Sequence, residues 1–322
     1  MPDSLGCRHV RDVGQPSRPA LRHRRLLPGH ASCGKGHRHW REAFLVTQTL
    51  TTLDIRPLTA TLGAEVFGFD MAALDDSTRD QLHEAWMEHK VLVFRDQHIS
   101  TEEHIAFGRL FGDLEVHPFT DNDEDHPEVV VLEAGGASGK TFVAAGWHSD
   151  VTWRAEPSMG SILRGRIVPR VGGDTCFADA TAAYQRLTDD WKQRVDDLYA
   201  IHDYSRVFAD RVEPSETEKI RAQYPPQRHP VIRTHLVTGA RGIYTNIGFT
   251  SHIDGVSEEE SREILRHLEL AIRNPSVQCR VRWDVDTFVM WDNRCVQHAA
   301  TADFLPEHRL MERVTVVGDR PF

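Results

Sequence analysis

Apolar positions in the first half of the chain fall into short runs separated by two stretches with a helical period. The runs typical of strands are "TLDIRPL" (52–58), "AEVFGFD" (64–70), "VLVFRD" (91–96), "VVVLE" (129–133) and "SILRGRIV" (161–168). Residues 75–90 carry apolar side chains at helical spacing after an acidic start, which predicts a helix. Ser100 and Glu103 match a capping box, so a second helix is predicted over residues 101–112.

The second half continues this alternation. It predicts a helical pair around residues 179–199, a hairpin in residues 229–246 that turns at Thr238 and Gly239, and an amphipathic helix over residues 257–273. Two strand-rich segments follow, "CRVRWDVDTFVMWDN" (279–293) and "ERVTVVGD" (312–319). Strands without regular βαβ alternation indicate a mainly β fold with inserted helices, an antiparallel sandwich or jelly roll.

The charge of the chain is unevenly distributed. Residues 1–45 carry nine Lys and Arg against three Asp and Glu, a net charge of +6. Because the whole chain has a net charge of −10, residues 46–322 carry −16. The first stretch has five histidines and no periodic apolar face, and it is interpreted as a disordered basic extension outside the fold. A nucleic-acid-binding arm and a His-rich metal tract are the alternatives. The acidic remainder disfavours nucleic acid, and residues 46–322 are predicted to form one domain.

Targeting and redox signals are few. The chain has no run of 18 apolar residues and no apolar core of a signal peptide, so a cytoplasmic protein without membrane contact is expected. Its five cysteines lack CxxC spacing and are interpreted as reduced thiols.

A possible metal site begins in "WHSDVTW" (147–153). In an extended segment, His148 and Asp150 would point to the same side, and His298 in "WDNRCVQH" (291–298) supplies a third candidate ligand. Two histidines and one carboxylate form the facial triad of non-haem iron(II) oxygenases. Because the chain has 19 histidines, chance pairs are expected, and a zinc hydrolase site is the alternative metal chemistry.

Four motifs are together more specific: "WHSDVTW", "GGDTCFAD" (172–179), "WDNRCVQH" and "HRLMERVTVVGD" (308–319). With them, the sequence from about residue 52 to Phe322 resembles the taurine dioxygenase family of iron(II)- and 2-oxoglutarate-dependent oxygenases. The resemblance implies a distorted jelly roll, also called a double-stranded β-helix or cupin-like fold. It also implies Fe(II), 2-oxoglutarate and O2 as cofactor and cosubstrates, with His148, Asp150 and His298 as iron ligands.

The resemblance assigns roles to two arginines. Arg309 and Thr175 would bind the far carboxylate of 2-oxoglutarate, for which the planar fork of an arginine is well suited. Arg313 lies four residues after Arg309, so both side chains share one face if the segment is extended. Two buried arginines in one pocket require two anions, and Arg313 with His117 would bind an anionic substrate.

The substrate pocket is expected to involve Val151, Phe249 and Thr120, with Phe119, Trp147 and Trp153 as further candidates for its walls. Thr120 and Ala144 stand where taurine-using members of the family carry a tyrosine and an asparagine that serve the amine, so a substrate with an apolar or larger tail is expected.

The predicted function is hydroxylation of a small organic anion, a sulfonate or a sulfate ester, at the carbon next to the heteroatom. The products would be an aldehyde and sulfite or sulfate, with succinate and CO2, which is a role in sulfur metabolism. An aryloxyalkanoate dioxygenase and a non-catalytic cupin-like metal-binding protein are the alternatives. A homo-oligomer, dimer or tetramer, is expected.

Overall fold

The computed structural model describes residues 53–141 and 144–322. The expected extension, residues 1–45, lies outside these ranges. The strands are β1 (Asp54–Pro57), β2 (Ala64–Phe67), β3 (Val91–Phe94), β4 (Val130–Ala134), β5 (Gly160–Ile167), β6 (Thr175–Asp179), β7 (Tyr199–His202), β8 (Gln227–Pro230), β9 (Ile232–Thr234), β10 (Arg241–Ile243), β11 (Thr250–Ile253), β12 (Gln278–Val281), β13 (Phe288–Asp292), β14 (Val296–Ala300) and β15 (Arg309–Val316). The α-helices are α1 (Asp76–His89), α2 (Thr101–Arg109), α3 (Ala180–Gln185), α4 (Asp189–Val195), α5 (Ser205–Phe208), α6 (Thr217–Gln223) and α7 (Glu258–Ile272).

The strands form a jelly roll of two facing sheets. The larger sheet has the order β1-β2-β3-β13-β5-β15-β4, and the sheet opposite has the order β12-β6-β14. Apart from the parallel pair β2 and β3, the neighbouring strands are antiparallel. Two smaller units, β11-β7-β8 and the hairpin β9-β10, extend the fold. The predicted mainly β architecture with inserted helices is confirmed.

The core between the two sheets is built from alternate residues of their strands. Phe177 of β6, Trp291 of β13 and Met311 of β15 belong to one buried cluster and are at most 1% exposed. β13 is buried along its whole length because it is paired on both edges, with β3 and β5. A continuous apolar strand of this kind is typical of the middle of a covered sheet, and it gives the site above it a rigid floor.

The helix starts follow the capping signals of the sequence. Asp75 caps α1, and Ser100 caps α2 in a full capping box with Glu103. Ser257 caps α7, whose buried side chains follow a helical period. The predicted helices and the 229–246 hairpin are confirmed. Among the described helices, none is long and apolar enough to cross a lipid bilayer.

The chain between residues 199 and 253 was only partly predicted. β7 and β11 pair with each other, and the short helices α5 and α6 lie between β7 and β8. Neither α5 nor α6 has a side-chain N-cap, and α5 is only four residues long. These elements are held by tertiary packing and not by local signals, which is why the sequence did not reveal them.

Candidate functional site

One large cavity opens between the two sheets and the loops at one end of the roll. Its volume is about 1040 Å³, and its walls come from β4, β5, β6, β13, β14 and β15, from α5, and from loop residues around 117–121, 139–141, 144–151 and 248–249. All the side chains proposed from the sequence for metal, cosubstrate and substrate line it: His117, Thr120, His148, Asp150, Val151, Thr175, Phe249, His298, Arg309 and Arg313.

The candidate triad is assembled by backbone pairing. His148 and His298 form a β-bridge, with hydrogen bonds of 3.0 Å from His148 N to His298 O and 2.7 Å in the reverse direction. Their Nε2 atoms lie 3.9 Å and 4.0 Å from Oδ1 of Asp150. The three side chains each offer one ligand atom within 4.8 Å of the others, so the structure brings the sequence-predicted triad together.

The reason for this convergence differs from the extended segment expected. Only His148 is extended; Asp150 lies in a turn, and Val151 adopts a left-handed backbone conformation with φ 47°. That conformation is unusual for a β-branched residue and costs on the order of 1–3 kcal/mol. His298 lies in the middle of β14.

The imidazoles have the form that a metal ligand needs. Nδ1 of His148 donates to the carbonyl of Gly146 at 2.7 Å, which leaves the Nε2 lone pair free to face Asp150. Burial lowers the pKa of His148 and lowers that of His298 to about 3, although Asp150 opposes the effect at both histidines. Both rings are therefore neutral near pH 7.

Asp150 is held by neighbours on both of its carboxylate oxygens. Oδ2 accepts hydrogen bonds from Ser161 Oγ at 2.7 Å and from Asn293 Nδ2 at 3.4 Å. Oδ1 accepts from Nη1 of Arg313 at 2.5 Å. Burial alone would raise the pKa of Asp150, but Arg313 and the two histidines outweigh it, so the pKa lies below its usual range.

This donor set fits Fe(II). Two neutral imidazole nitrogens and one ionised carboxylate, converging in a cavity and leaving open coordination positions, form the facial triad of non-haem iron sites. Another His, Asp and Cys cluster lies at His235, Asp292 and Cys295. There the Asp292 carboxylate is already occupied by Arg294 and by His235 at 2.9 Å, so that cluster is an ion-pair network.

Arg309 and Thr175 present unused donors to the cavity. Nε of Arg309 donates to Gly173 O at 3.0 Å, and no carboxylate of the described residues pairs with its guanidinium. Burial lowers the pKa of Arg309 to about 10, opposed by the more distant Asp174. Trp283 Nε1 donates to Thr175 Oγ1 at 3.0 Å. An indole nitrogen can only donate, so the Thr175 hydroxyl hydrogen is free to point elsewhere.

Arg313 and His117 form the second polar group of the cavity. Nδ1 of His117 accepts a hydrogen bond of 3.2 Å from the backbone N–H of Phe119, so the neutral ring carries its hydrogen on Nε2. Burial, together with the nearby positive charge of Arg313, lowers the pKa of His117 to about 3. The pair offers a guanidinium and a neutral N–H donor, a combination suited to an oxyanion.

The aromatic walls were predicted only in part. Phe119 and Phe249 line the cavity, as expected. Trp153 instead packs in a buried aromatic cluster against Phe119, with ring centroids 5.4 Å apart. Trp147 lines a separate cavity of about 240 Å³ beside α7. Trp153 is thus a support for the wall, because the turn after Asp150 points its ring into the core.

Several contacts of the site were not predicted from sequence. Ser161, Asn293 and Trp283 hold Asp150 and Thr175 in place. Asn293 lies within the motif "WDNRCVQH", and its place in that motif is the one sequence signal for its role. Ser161 and Trp283 lie on strand and loop segments without any motif, and only the three-dimensional pairing reveals them.

The comparison with protein families gives one match. Residues 54–315 match the family described as "Taurine catabolism dioxygenase TauD, TfdA family". The match covers nearly all of the described chain and includes each of the cavity residues named above.

Similar proteins act on several kinds of anion. The alkylsulfatase of Acinetobacter baylyi is 33% identical over 276 residues, which cover 83% of this chain and 86% of that protein. The (S)-phenoxypropionate/alpha-ketoglutarate-dioxygenase of Sphingobium herbicidovorans is 34% identical over 278 residues, covering 83% and 95%. The crystal structure of a taurine dioxygenase from Burkholderia xenovorans superimposes with a TM-score of 0.73 at 32% identity, covering 84% of this chain and 91% of that one.

Proposed function

The chain belongs to the TauD, TfdA family and is a 2-oxoglutarate-dependent dioxygenase that uses Fe(II) and O2, and we propose that its substrate is a sulfonate or a sulfate ester. When bound, Fe(II) and 2-oxoglutarate activate O2, so that one oxygen atom oxidises 2-oxoglutarate to succinate and CO2 and the other hydroxylates a substrate carbon. The residues of the chain bind, orient and shield the reactants.

His148, Asp150 and His298 hold the Fe(II) in this proposal. The support is their convergence within 4.8 Å and their protonation, with neutral imidazoles and an ionised carboxylate. Because the protein supplies three ligand atoms, the remaining coordination positions are open to the cosubstrate and O2.

Arg309 and Thr175 bind the far carboxylate of 2-oxoglutarate. Arg309 is 7% exposed and lacks a carboxylate partner among the described residues, which is costly for a buried cation unless a ligand supplies the anion. Thr175, on β6, adds a hydroxyl donor. Its hydroxyl oxygen already accepts a hydrogen bond from Trp283. A guanidinium fork and a hydroxyl match a planar carboxylate.

The observation that carries the substrate proposal is the charge balance at the inner end of the cavity. Arg309 and Arg313 are both buried there with a single carboxylate, Asp150, which also faces the two metal-binding histidines. The other carboxylates that line the cavity, Asp121 and Glu133, lie beside Lys140. Arg309 therefore needs an anionic ligand, and so does Arg313 once its present partner Asp150 serves as a ligand of Fe(II).

The neighbourhood of Arg313 selects the anion and its tail. Arg313 and the Nε2–H of His117 are donors for a sulfonate or sulfate oxygen. Thr120 donates its hydroxyl hydrogen to Asn122 at 3.2 Å, and Ala144 has no polar side-chain atom, so at these two positions a substrate ammonium would find one acceptor, the short hydroxyl of Thr120. Phe119 and Phe249 offer an apolar surface instead. An alkyl tail therefore fits better than the aminoethyl group of taurine.

The products follow from hydroxylation at the carbon bonded to the heteroatom. A sulfonate carbon bearing the new hydroxyl releases sulfite as its C–S bond breaks, and a sulfate ester releases sulfate as its C–O bond breaks. In both cases the hydroxyl proton is lost and the carbon becomes an aldehyde.

A panel assay tests this proposal. Succinate formation is measured with taurine, a C6 alkyl sulfonate, a C6 alkyl sulfate and a phenoxyalkanoate, and sulfite, sulfate and aldehyde are measured as products. We expect kcat/KM to be highest for an alkyl sulfonate or sulfate. A highest value for taurine would show that the interpretation of Thr120 and Ala144 is wrong.

An aryloxyalkanoate is the second candidate substrate. It is supported by the 34% identity to the (S)-phenoxypropionate dioxygenase and by the aromatic surface of Phe119 and Phe249. A carboxylate would then occupy Arg313, and hydroxylation next to the ether oxygen would release a phenol. The panel separates the two candidates, because phenol is formed only from this class.

A further inference from the structure

We infer that Asn293 and Ser161 are positioning residues that make Asp150 present a single oxygen atom, Oδ1, to the metal. This inference rests on the proposed role of Asp150 as an iron ligand. It assigns a function to two buried polar side chains that touch neither the cosubstrate nor the substrate in the proposal above.

The orientation of the Asn293 side-chain amide is fixed by its neighbours. Its Oδ1 accepts hydrogen bonds from the backbone N–H of Asp150 at 3.2 Å and from Trp291 Nε1 at 2.9 Å. Both of these groups can only donate. The Nδ2 group must therefore face the other way, where it meets Asp150 Oδ2 at 3.4 Å and Ser161 Oγ at 2.9 Å.

Ser161 completes the arrangement from β5. Its hydroxyl accepts from Asn293 Nδ2 and donates to Asp150 Oδ2 at 2.7 Å. The chain of donors runs in one direction, from the Asn293 amide through the hydroxyl to the carboxylate. Asp150 Oδ2 thus has two donors on the side away from the histidines, whereas Oδ1 faces the Nε2 atoms of His148 and His298 and accepts one hydrogen bond, from Arg313 Nη1.

The two oxygen atoms of the carboxylate therefore have different roles: Oδ2 is bound by Asn293 and Ser161, and Oδ1 is left to bind the metal. A bidentate carboxylate would use both oxygens and take one coordination position more than a single oxygen does. By engaging Oδ2, Asn293 and Ser161 keep that position open for a chelating 2-oxo acid. Hydrogen bonds to a ligand from outside the coordination sphere typically change metal affinity by about 10–100-fold.

The rigidity of the network supports this role. Asn293 and Ser161 are 1% and 0% exposed, and Trp291 and Ser161 lie opposite each other in the paired strands β13 and β5. A buried network in which the amide and the hydroxyl are both satisfied holds one geometry, because any rotation would leave a buried polar group unpaired.

The test compares Ser161→Ala with Ser158→Ala. Both serines are buried and contact Asn293 Nδ2, but Ser158 Oγ donates to the backbone carbonyl of Asp150 at 3.2 Å and not to its carboxylate. Binding of Co(II) to the full chain is measured by equilibrium dialysis, and the visible absorption bands of the bound Co(II) are recorded. We expect Ser161→Ala to weaken binding about 10-fold or more and to shift the bands, and Ser158→Ala to change the affinity by less than about threefold.

Asn293→Asp is a second, nearly isosteric variant. It keeps the acceptor for Asp150 N–H and Trp291 but replaces the Nδ2 donor with an oxygen that repels Asp150 Oδ2. We expect a larger loss of Co(II) affinity than in Ser161→Ala. Circular dichroism spectra and thermal unfolding of all variants show whether each one is folded.

Asp150→Ala separates the possible failures. If Asp150→Ala abolishes binding while Ser161→Ala and Asn293→Asp match Ser158→Ala in affinity and spectrum, the inference is wrong and the proposed metal site stands. If Asp150→Ala leaves Co(II) binding intact, the metal assignment fails and the inference fails with it. If Asn293→Asp does not fold, the comparison of Ser161→Ala with Ser158→Ala decides alone.

Discussion

The indole N–H of Trp283 donates a hydrogen bond of 3.0 Å to the hydroxyl oxygen of Thr175. Since the indole has no acceptor, this contact fixes which way the hydroxyl hydrogen can point. Trp283 and Thr175 are both 2% exposed, so water does not compete for the hydroxyl oxygen. Thr175 and Arg309 line the same cavity, so the hydroxyl hydrogen is available to a ligand that Arg309 binds there.

Thr175→Val is expected to weaken 2-oxoglutarate binding. It keeps the shape of the side chain but removes one hydrogen bond to a charged group, worth about 1.5–3 kcal/mol, which corresponds to roughly 10–100-fold in Kd. Anaerobic titration of the Fe(II) protein with 2-oxoglutarate, followed by the metal-to-ligand absorption band, measures this. Trp283→Phe should give a smaller loss, because the hydroxyl remains but can turn away. An unchanged Kd in Thr175→Val would exclude the hydroxyl from the cosubstrate site.

Arg309→Gln and Arg313→Gln should affect different ligands. Arg309→Gln is expected to raise the KM for 2-oxoglutarate, and Arg313→Gln the KM for the organic anion. Truncating one partner of a buried charged pair typically costs about 2–5 kcal/mol. Each ligand is titrated at saturation of the other. Equal effects of both substitutions on both ligands would contradict the assignment of one anion to each arginine.

His148→Ala, Asp150→Ala and His298→Ala are each expected to abolish succinate formation while the protein stays folded. The site lies in an open cavity of the jelly roll, so the loss of one ligand side chain removes little packing. Circular dichroism and iron content measure folding and metal binding separately. His235→Ala, in the Asp292 and Arg294 network, is the control: it should retain iron, because that cluster is already paired internally.

Thr120→Tyr combined with Ala144→Asn should improve the use of taurine. The substitutions add a longer hydroxyl and an amide at positions that now carry a short hydroxyl and a methyl group, and each hydrogen bond to a charge contributes about 1.5–3 kcal/mol. The ratio of kcat/KM for taurine to that for an alkyl sulfonate of similar length is the measurement. An unchanged ratio would mean that other groups determine the tail of the substrate.

Acid should destabilise the fold through buried neutral histidines. His104 is 0% exposed, donates Nε2–H to Ile162 O at 3.2 Å, and has its pKa lowered from 6.5 to about 3 by burial. Below pH 6.5 the unfolded chain binds a proton that the native state does not, so the free energy of unfolding falls as pH decreases. For His104 the slope reaches about 1.4 kcal/mol per pH unit down to its folded pKa.

His104→Asn keeps a donor but cannot take up this proton. Chemical denaturation at pH 7 and pH 5 should therefore show a smaller loss of stability for the variant than for the unmodified protein. His83, which is exposed on α1, provides the comparison: His83→Asn should lose as much stability between the two pH values as the unmodified protein. Parallel losses in all three proteins would contradict the contribution of His104.

The fold was largely predictable because its elements carry local signals. Ser100 and Glu103 mark the start of α2, and the unbroken apolar run of β3 indicates a strand covered on both faces. The strand pattern left an antiparallel sandwich and a jelly roll open, and the resemblance of the motifs selected the jelly roll. The segments without such signals, β7, α5 and α6, depend on packing against distant parts of the chain, and no window of sequence contains that information.

The residues of the candidate site likewise fall into those that the sequence identifies and those that it does not. The residues with unusual chemistry, such as Arg309 and His298, stand in motifs and can be selected from the sequence. Ser161 and Trp283 are ordinary residue types whose importance depends on one hydrogen bond each, to partners 11 and 108 positions away. The geometry of Asp150 also depends on the left-handed backbone at Val151, which no propensity predicts for a β-branched residue.

The backbone bridge between His148 and His298 also bears on when the protein can acquire its metal. The two residues are 150 positions apart, and at roughly 5–20 residues per second a ribosome needs on the order of ten seconds to make that stretch. Until β14 has left the ribosome, the growing chain has two of the proposed ligands, His148 and Asp150, but lacks the strand that pairs with the segment of His148. The proposed metal site is therefore complete only after β14 has been made and has paired with the segment of His148, so metal binding by all three ligands follows the folding of the C-terminal strands.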